Sequence, residues 1–180
     1  MLRVNTLPVQ AASSPTTTLV ELDPNHAAAT WRNLFVVYWL GETKPGAVAR
    51  LRQPLLKLGE QFKDGIGLMQ VVGPKTVAPG TEARNALANL MKTGSEIIVC
   101  SSLVVPGVGF RMAAARALAT GLVMLARPPF PHQVYATMEQ AAAWQSAVLP
   151  PHGLDSVRPQ QILSVVDFLR SKLPDEATAS

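Results

Sequence analysis

Residues 34–40 read LFVVYWL, an apolar run of strand length in which β-branched and aromatic residues dominate and which Gly41 closes. Such a composition predicts a buried β-strand. Residues 66–72 (IGLMQVV) predict a second buried strand, and residues 96–100 (EIIVC) predict a third. Two short strands complete the set, an edge strand over Thr18–Leu22 and a last strand over His132–Ala136.

Helical patterns separate these strands. Between Pro45 and Phe62 apolar residues recur at intervals of three and four with charged residues between them, which indicates an amphipathic helix. Pro54 lies inside that pattern and is expected to kink or divide the helix, because proline lacks an N–H and clashes with the preceding turn. Further helices are predicted from Thr81, from about Val108 to Leu125, from the capping-box sequence at Thr137 through Trp144, and over Pro159–Leu173.

The element order β-β-α-β-α-β-α-β-α determines the predicted fold class. It indicates an α/β domain with a mostly parallel or mixed sheet of four or five strands, covered by about four helices, plus a C-terminal amphipathic helix. The chain divides into a flexible polar arm (1–17), the domain itself (18–149), a Pro-rich linker (150–158) and the C-terminal helix with its tail (159–180).

The charge pattern disfavours several classes of partner. Only 16 % of the residues are charged, and the net charge of +4 is spread along the chain. Nucleic-acid binding calls for a basic stripe with interleaved aromatic residues, so no nucleic-acid partner is expected. The longest apolar helix candidate, Phe110–Ala126, is short for a bilayer and carries two arginines, and the first 18 residues lack the pattern of a signal peptide. The sequence therefore predicts no membrane partner and a cytoplasmic location.

Catalytic and metal-binding groups are not discernible from spacing, so neither kind of site is predicted. Cys100 lies in an apolar strand with no histidine placed beside it, which predicts a buried, unreactive thiol. Ser101 and Ser102 follow at the predicted end of that strand and are better placed to contact a ligand. Gly107 and Gly109 lack the remainder of a dinucleotide-binding fingerprint, so no cofactor is expected. Three histidines are scattered without metal-ligand spacing: His26, His132 and His152.

The element order from Thr18 to Leu149 resembles the STAS domain, the fold of anti-sigma-factor antagonists and of the cytoplasmic ends of sulfate transporters, with its SpoIIAA-like relatives. Two places carry the resemblance. One is the strand 66–72 followed by a helix containing Asn85-Ala86-Leu87, and the other is the closing segment 134–144, VYATMEQAAAW. The resemblance implies a bacterial signalling module that binds a protein partner, such as a kinase or another regulator, or that associates with itself.

The regulatory site that the resemblance implies lies between the strand 66–72 and the helix after it. Phosphorylatable members carry an Asp-Ser-Ser-Gly type of sequence there, whereas residues 77–81 of this chain read VAPGT and lack the aspartate. Thr81 alone stands where the phosphorylated hydroxyl would be, and it is also the expected N-cap of its helix. Arg84, one turn on, could pair with a phosphate. The regulatory surface is therefore expected at Gly80, Thr81 and Arg84.

Three functions remain open at this point. The leading hypothesis is a non-enzymatic regulatory module of STAS/SpoIIAA-like type that docks another protein through a helix face. The second is a carrier of a small apolar ligand such as a lipid, held between sheet and helices, which the low charge permits. The third is an enzyme of unrecognised type.

Overall fold

A mixed sheet of six strands runs through the computed structural model, which describes residues 16–74, 76–107, 109, 112–113, 115–117, 119–120, 128–150 and 156–174. The strands lie side by side in chain order. They are β1 (Thr18–Asp23), β2 (His26–Trp31), β3 (Leu34–Trp39), β4 (Ile66–Val72), β5 (Ile98–Val104) and β6 (His132–Tyr135). The first three strands are antiparallel neighbours, whereas β3 through β6 pair in parallel.

Parallel neighbours need crossover connections, and helices supply them. Helix α1 (Pro45–Gln61) joins β3 to β4, α2 (Thr81–Thr93) joins β4 to β5, and α3 (Met138–Val148) and α4 (Pro159–Arg170) follow β6. The predicted Ala-rich helix over Val108–Leu125 lies largely outside the described residues, and its described residues from 112 to 120 are helical. Among the described helices, none is long and apolar enough to cross a bilayer.

The apolar run at residues 34–40 is continuous because both faces of β3 are covered. Its side chains alternate between two clusters, with Leu34, Val36 and Tyr38 packed under α3 and α4. Phe35, Val37 and Trp39 pack on the opposite face under α1 and α2. A strand with one face in water would have to alternate apolar and polar residues instead. The predicted α/β class, with a mixed sheet covered by helices, is confirmed.

Strand β2 is an element that the sequence did not predict, and it brings the sheet to six strands instead of four or five. It reads HAAATW, and alanine favours strands only weakly. Tertiary packing overrides that propensity, because Ala27, Ala28 and Ala29 are all 0 % exposed between β1 and β3. Their small side chains leave room for the elements that cover β2, and α4 is one of them.

Two further local predictions need correction. Helix α1 continues through Pro54 as one helix, so it is not divided there. The buried stripe of Leu51, Leu55 and Leu58 spans the proline and holds both halves against the same face of the sheet. Strand β5 runs from Ile98 to Val104 instead of ending at Cys100. Ser101 and Ser102 consequently lie within the strand, buried at 0 % exposure, and not at a ligand-accessible strand end.

Helix α4 packs against β2 and β3 and belongs to the core on that face. Its buried stripe is Ile162, Val165, Val166 and Leu169, which repeats at helical spacing as the sequence indicated. The predicted linker 150–158 is described only at residue 150 and at residues 156–158, so its character stays a prediction. Most of the predicted arm, residues 1–15, lies outside the described residues.

Candidate functional site

The residues expected to form the regulatory surface lie in one short segment at the carboxyl edge of the parallel strands. We call residues 76–84 the α2 entry segment, because they lead from the loop after β4 into the first turn of α2. In open α/β sheets this edge collects ligand-contacting groups, since strands end and helices begin there. Gly80, Thr81 and Arg84 all lie within the segment.

The start of the α2 entry segment is fastened to the end of β3. The carbonyl oxygen of Trp39 accepts a hydrogen bond from the Gly73 N–H at 2.7 Å and another from the Thr76 hydroxyl at 2.6 Å. A Cβ atom at residue 73 would lie 2.9 Å from that carbonyl oxygen, so the close approach requires glycine. The chain immediately after this anchor is exposed at Val77 and Ala78.

Gly80, and not Thr81, is the N-cap of α2. Gly80 is in an extended conformation and Thr81 is the first helical residue, so the interpretation of Thr81 as the N-cap is wrong. The first N–H groups of any helix lack partners within the helix, and a polar side chain at the cap often accepts a hydrogen bond from one of them. Among the described residues, no side chain does so at α2. Its N-terminus therefore keeps N–H groups without a side-chain acceptor.

Gly80, Thr81 and Arg84 are joined by two hydrogen bonds. The Arg84 N–H donates to the Gly80 carbonyl oxygen at 2.9 Å, which closes the first turn of α2. The guanidinium Nη2 of Arg84 also donates to the Thr81 hydroxyl at 3.4 Å, on the exposed side of the helix. The structure thus places the predicted cation against the predicted hydroxyl.

Helix α2 has one packed side and one exposed side. Ala83 and Leu90 are buried, and Leu90 packs in the cluster that residues of α1 and the sheet form. The opposite side is polar and small, and it comprises Thr81, Glu82, Arg84, Asn85, Ala88 and Asn89. Val77, in the loop before α2, has 63 % of its surface exposed, more than any other large hydrophobic residue in the part of the chain that the structure describes.

A second group of polar side chains lies under α3 and is completely buried. The amide Nε2 of Gln145 donates to the Leu68 carbonyl oxygen at 2.9 Å and to the Ser102 hydroxyl at 3.1 Å. Its Oε1 accepts a hydrogen bond from the Cys100 thiol at 3.1 Å. Burial raises the pKa of Cys100 to about 12, so the thiol stays protonated at neutral pH. The predicted burial of Cys100 is confirmed, and Ser102 binds Gln145.

Ser101 lies on the other face of β5, where its hydroxyl is 3.1 Å from Nδ1 of His132. Burial lowers the pKa of His132 to about 4, so its ring is neutral at pH 7. A nucleophilic pair needs a third group that orients the base, but Nε2 of His132 is buried and has no hydrogen-bond partner among the described residues. Within the described residues, no three His, Cys, Asp or Glu side chains are placed to hold a metal ion.

Gln145 is not among the residues predicted from the sequence, although its spacing indicates burial. Ala141, Gln145 and Leu149 are four residues apart, and all three are buried. That interval places residues on one face of a helix, so Gln145 belongs to the buried stripe of α3. A polar residue in such a stripe predicts a hydrogen-bonded group in the core, since burial without partners is costly.

No protein-family model matches the chain, and no curated protein matches it either. Among solved structures, the chain is similar to an uncharacterised protein of the DUF3478 family with a SpoIIAA-like fold, from Shewanella loihica. The two are 15 % identical, with a TM-score of 0.43, over 73 % of this chain and 97 % of that one. This likeness concerns the fold alone.

Proposed function

We propose that this chain is a non-enzymatic regulatory module that docks another protein through the α2 entry segment and the exposed side of α2. The exposure of Val77 beside an anchored backbone is the observation that supports the proposal most. A loop that is already held in place loses little conformational entropy on binding. Covering Val77 removes apolar surface from water, which favours association.

The proposal includes regulation at Thr81. Its hydroxyl is exposed at the first position of a helix that lacks a side-chain cap. A phosphate on that oxygen would meet N–H groups at the positive end of the helix dipole and the guanidinium of Arg84, which already contacts the oxygen. The added charge would change the surface that a partner covers. A kinase and the docked regulator are the two kinds of partner that this mechanism requires.

The chemistry of the buried groups also favours binding over catalysis. Cys100 is a protonated thiol held in the core by Gln145. Ser101 contacts a neutral His132 that lacks an orienting partner in the described part of the chain, and Ser101 itself is 0 % exposed. Neither group can meet a substrate without a rearrangement of the sheet.

Site-specific photocrosslinking tests the proposal while the partner is still unidentified. Benzoylphenylalanine replaces Val77 or Asn85 in two variants, and Val148, an exposed apolar residue at the end of α3, in the control variant. We expect positions 77 and 85 to crosslink to the same protein in a lysate of the source organism, while position 148 does not. Adducts that form equally from all three positions, or from position 148 alone, would contradict docking through α2.

A further inference from the structure

The side chain of a buried histidine beside the sheet edge makes no hydrogen bond to any described residue. His26 begins β2, is 0 % exposed, and stacks on Trp39 with the ring centroids 5.2 Å apart. Neither Nδ1 nor Nε2 has a hydrogen-bond partner in the part of the chain that the structure describes. Buried polar atoms in native proteins are nearly always paired, so a ring with both nitrogens unpaired calls for an explanation.

Each ring nitrogen faces a carboxylate at a distance just beyond hydrogen bonding. Nε2 lies 3.8 Å from Oε1 of Glu21, and Nδ1 lies 3.8 Å from Oδ1 of Asp23. Both acids are on β1, which pairs with β2. A hydrogen bond from a charged ring would be roughly 1 Å shorter, a shift within the reach of side chains alone.

The two carboxylates are already held by a cation from another element. Arg50 of α1 donates from Nε to Glu21 at 2.6 Å and from Nη2 to Asp23 at 3.1 Å. Asp23 also accepts a hydrogen bond from the Asn25 N–H at 2.9 Å. The charged groups that face His26 are therefore Glu21 and Asp23 from β1 and Arg50 from α1, while Trp39 of β3 adds an uncharged ring.

We propose that His26 is a proton-operated clamp between the edge strand β1 and helix α1. With the ring neutral, Arg50 holds both carboxylates. A proton taken from solvent makes both ring nitrogens donors. Nε2 then donates a hydrogen bond to Glu21 and Nδ1 donates one to Asp23. Each carboxylate then accepts hydrogen bonds from both the imidazolium and Arg50. The face of Trp39 adds a further favourable contact for a charged ring.

The clamp operates on the acid side of neutrality. Burial lowers the pKa of His26 below its usual value of 6.5, and Asp23 and then Glu21 oppose that effect. Because the folded-state pKa is below the unfolded-state value, the ring is neutral above about pH 6.5 and stability declines as the pH falls below that value. Once the pH is below the folded-state pKa, the folded chain also binds the proton, and the stability stops declining.

The test follows the ring nitrogens of His26 and the Nε–H of Arg50 by NMR on the full chain, from about pH 7.5 to about pH 4.5. Comparison with His26→Phe assigns the His26 signals, and circular dichroism at each pH verifies that the chain stays folded. We expect the ring to gain its second N–H with a midpoint below 6.5, and the Arg50 signal to shift with the same midpoint. In His26→Phe the Arg50 signal should stay constant above about pH 5, where carboxylates remain charged.

A Glu21→Gln, Asp23→Asn variant replaces both charged carboxylates with neutral amides and should lower the His26 midpoint further. The inference is overturned if the Arg50 signal does not respond while His26 titrates, if the midpoint is the same in that variant, or if the wild-type chain unfolds before His26 gains its proton.

Discussion

Gln145 and His26 are both 0 % exposed polar side chains, yet one is fully paired and the other is not. Gln145 of α3 joins the backbone of β4 to two side chains of β5. His26, on the face that α1 covers, has two unpaired nitrogens beside two acids. A buried polar group with all its hydrogen bonds fixes the position of a helix on a sheet. A buried polar group without hydrogen bonds destabilises the fold, and for histidine a proton changes the size of that effect.

The largest expected effect comes from removing the paired group. Gln145→Ala should lower the free energy of unfolding by about 3 kcal/mol, because it opens a cavity and leaves the Cys100 and Ser102 groups without their partner. Urea denaturation measures the loss. Gln140→Ala, an exposed glutamine on the same helix, is the control and should cost less than about 0.5 kcal/mol. Equal losses would mean that Gln145 does not hold α3.

The packing around Gln145 can be challenged while all of its hydrogen-bonding partners stay in place. A Cβ at residue 67 would lie 2.7 Å from Leu149 and 2.9 Å from Oε1 of Gln145, so Gly67→Ala should cost about 2 kcal/mol through overpacking. Gly46→Ala is the matched control, since a Cβ there meets nothing within 4 Å. Alanine also suits a helix better than glycine, so the control should be neutral or slightly stabilising. A tolerated Gly67→Ala would show that α3 can shift.

Removing the unpaired group should have the opposite sign. His26→Phe keeps a ring against Trp39 and deletes both unpaired nitrogens, so at about pH 7.5 the chain should gain roughly 1 kcal/mol of stability. The gain should increase toward about pH 5.5, since the wild-type chain loses stability there and the variant has no residue at position 26 to protonate. Urea titrations at the two pH values give both quantities. A lower stability of His26→Phe at both pH values would show that the unpaired ring nitrogens do not destabilise the folded chain.

The rate at which a thiol reagent labels Cys100 also reports on the buried group around Gln145. Its raised pKa, about 12, and its 0 % exposure predict no labelling by a thiol reagent in the folded wild-type chain. Gln145→Ala should raise the labelling rate, because the thiol loses its hydrogen-bond partner. Helix α3 also loses its hydrogen bonds to the sheet and should open more often. Rapid labelling of the wild-type chain without denaturant would contradict the buried network.

Elements with long patterns are predictable from the sequence, and isolated contacts are not. Strand β4 has the bounds that its apolar run predicts, and α1 and α2 begin at the predicted residues. Hydrophobic runs and helical spacing suffice to predict such elements, because the pattern within one element shows which of its residues are buried. Strand β2 escapes prediction since its alanines carry little strand propensity, although Pro24 and Asn25 indicate the turn before it.

The candidate site is predictable in position but not in detail. Gly80, Thr81 and Arg84 lie together as expected, while the cap is Gly80 because Thr81 is already the first residue of the helix. The anchor between Thr76 and Trp39 joins residues 37 positions apart. The Cys100 to Gln145 contact spans 45 positions. Contacts of that separation depend on the assembled sheet, which no local pattern encodes.

Docking through the α2 entry segment is the central claim, and partner affinity tests it most directly. Once crosslinking has identified the partner, its Kd is measured by calorimetry at matched folded fraction for the wild-type chain, Val77→Asp and Thr81→Glu, with Thr81→Ala and Val148→Asp as controls. We predict that Val77→Asp and Thr81→Glu each weaken binding about 10-fold or more, as a central interface position would. Thr81→Ala and Val148→Asp should leave the affinity unchanged. Equal affinity in all five proteins would contradict docking at this surface.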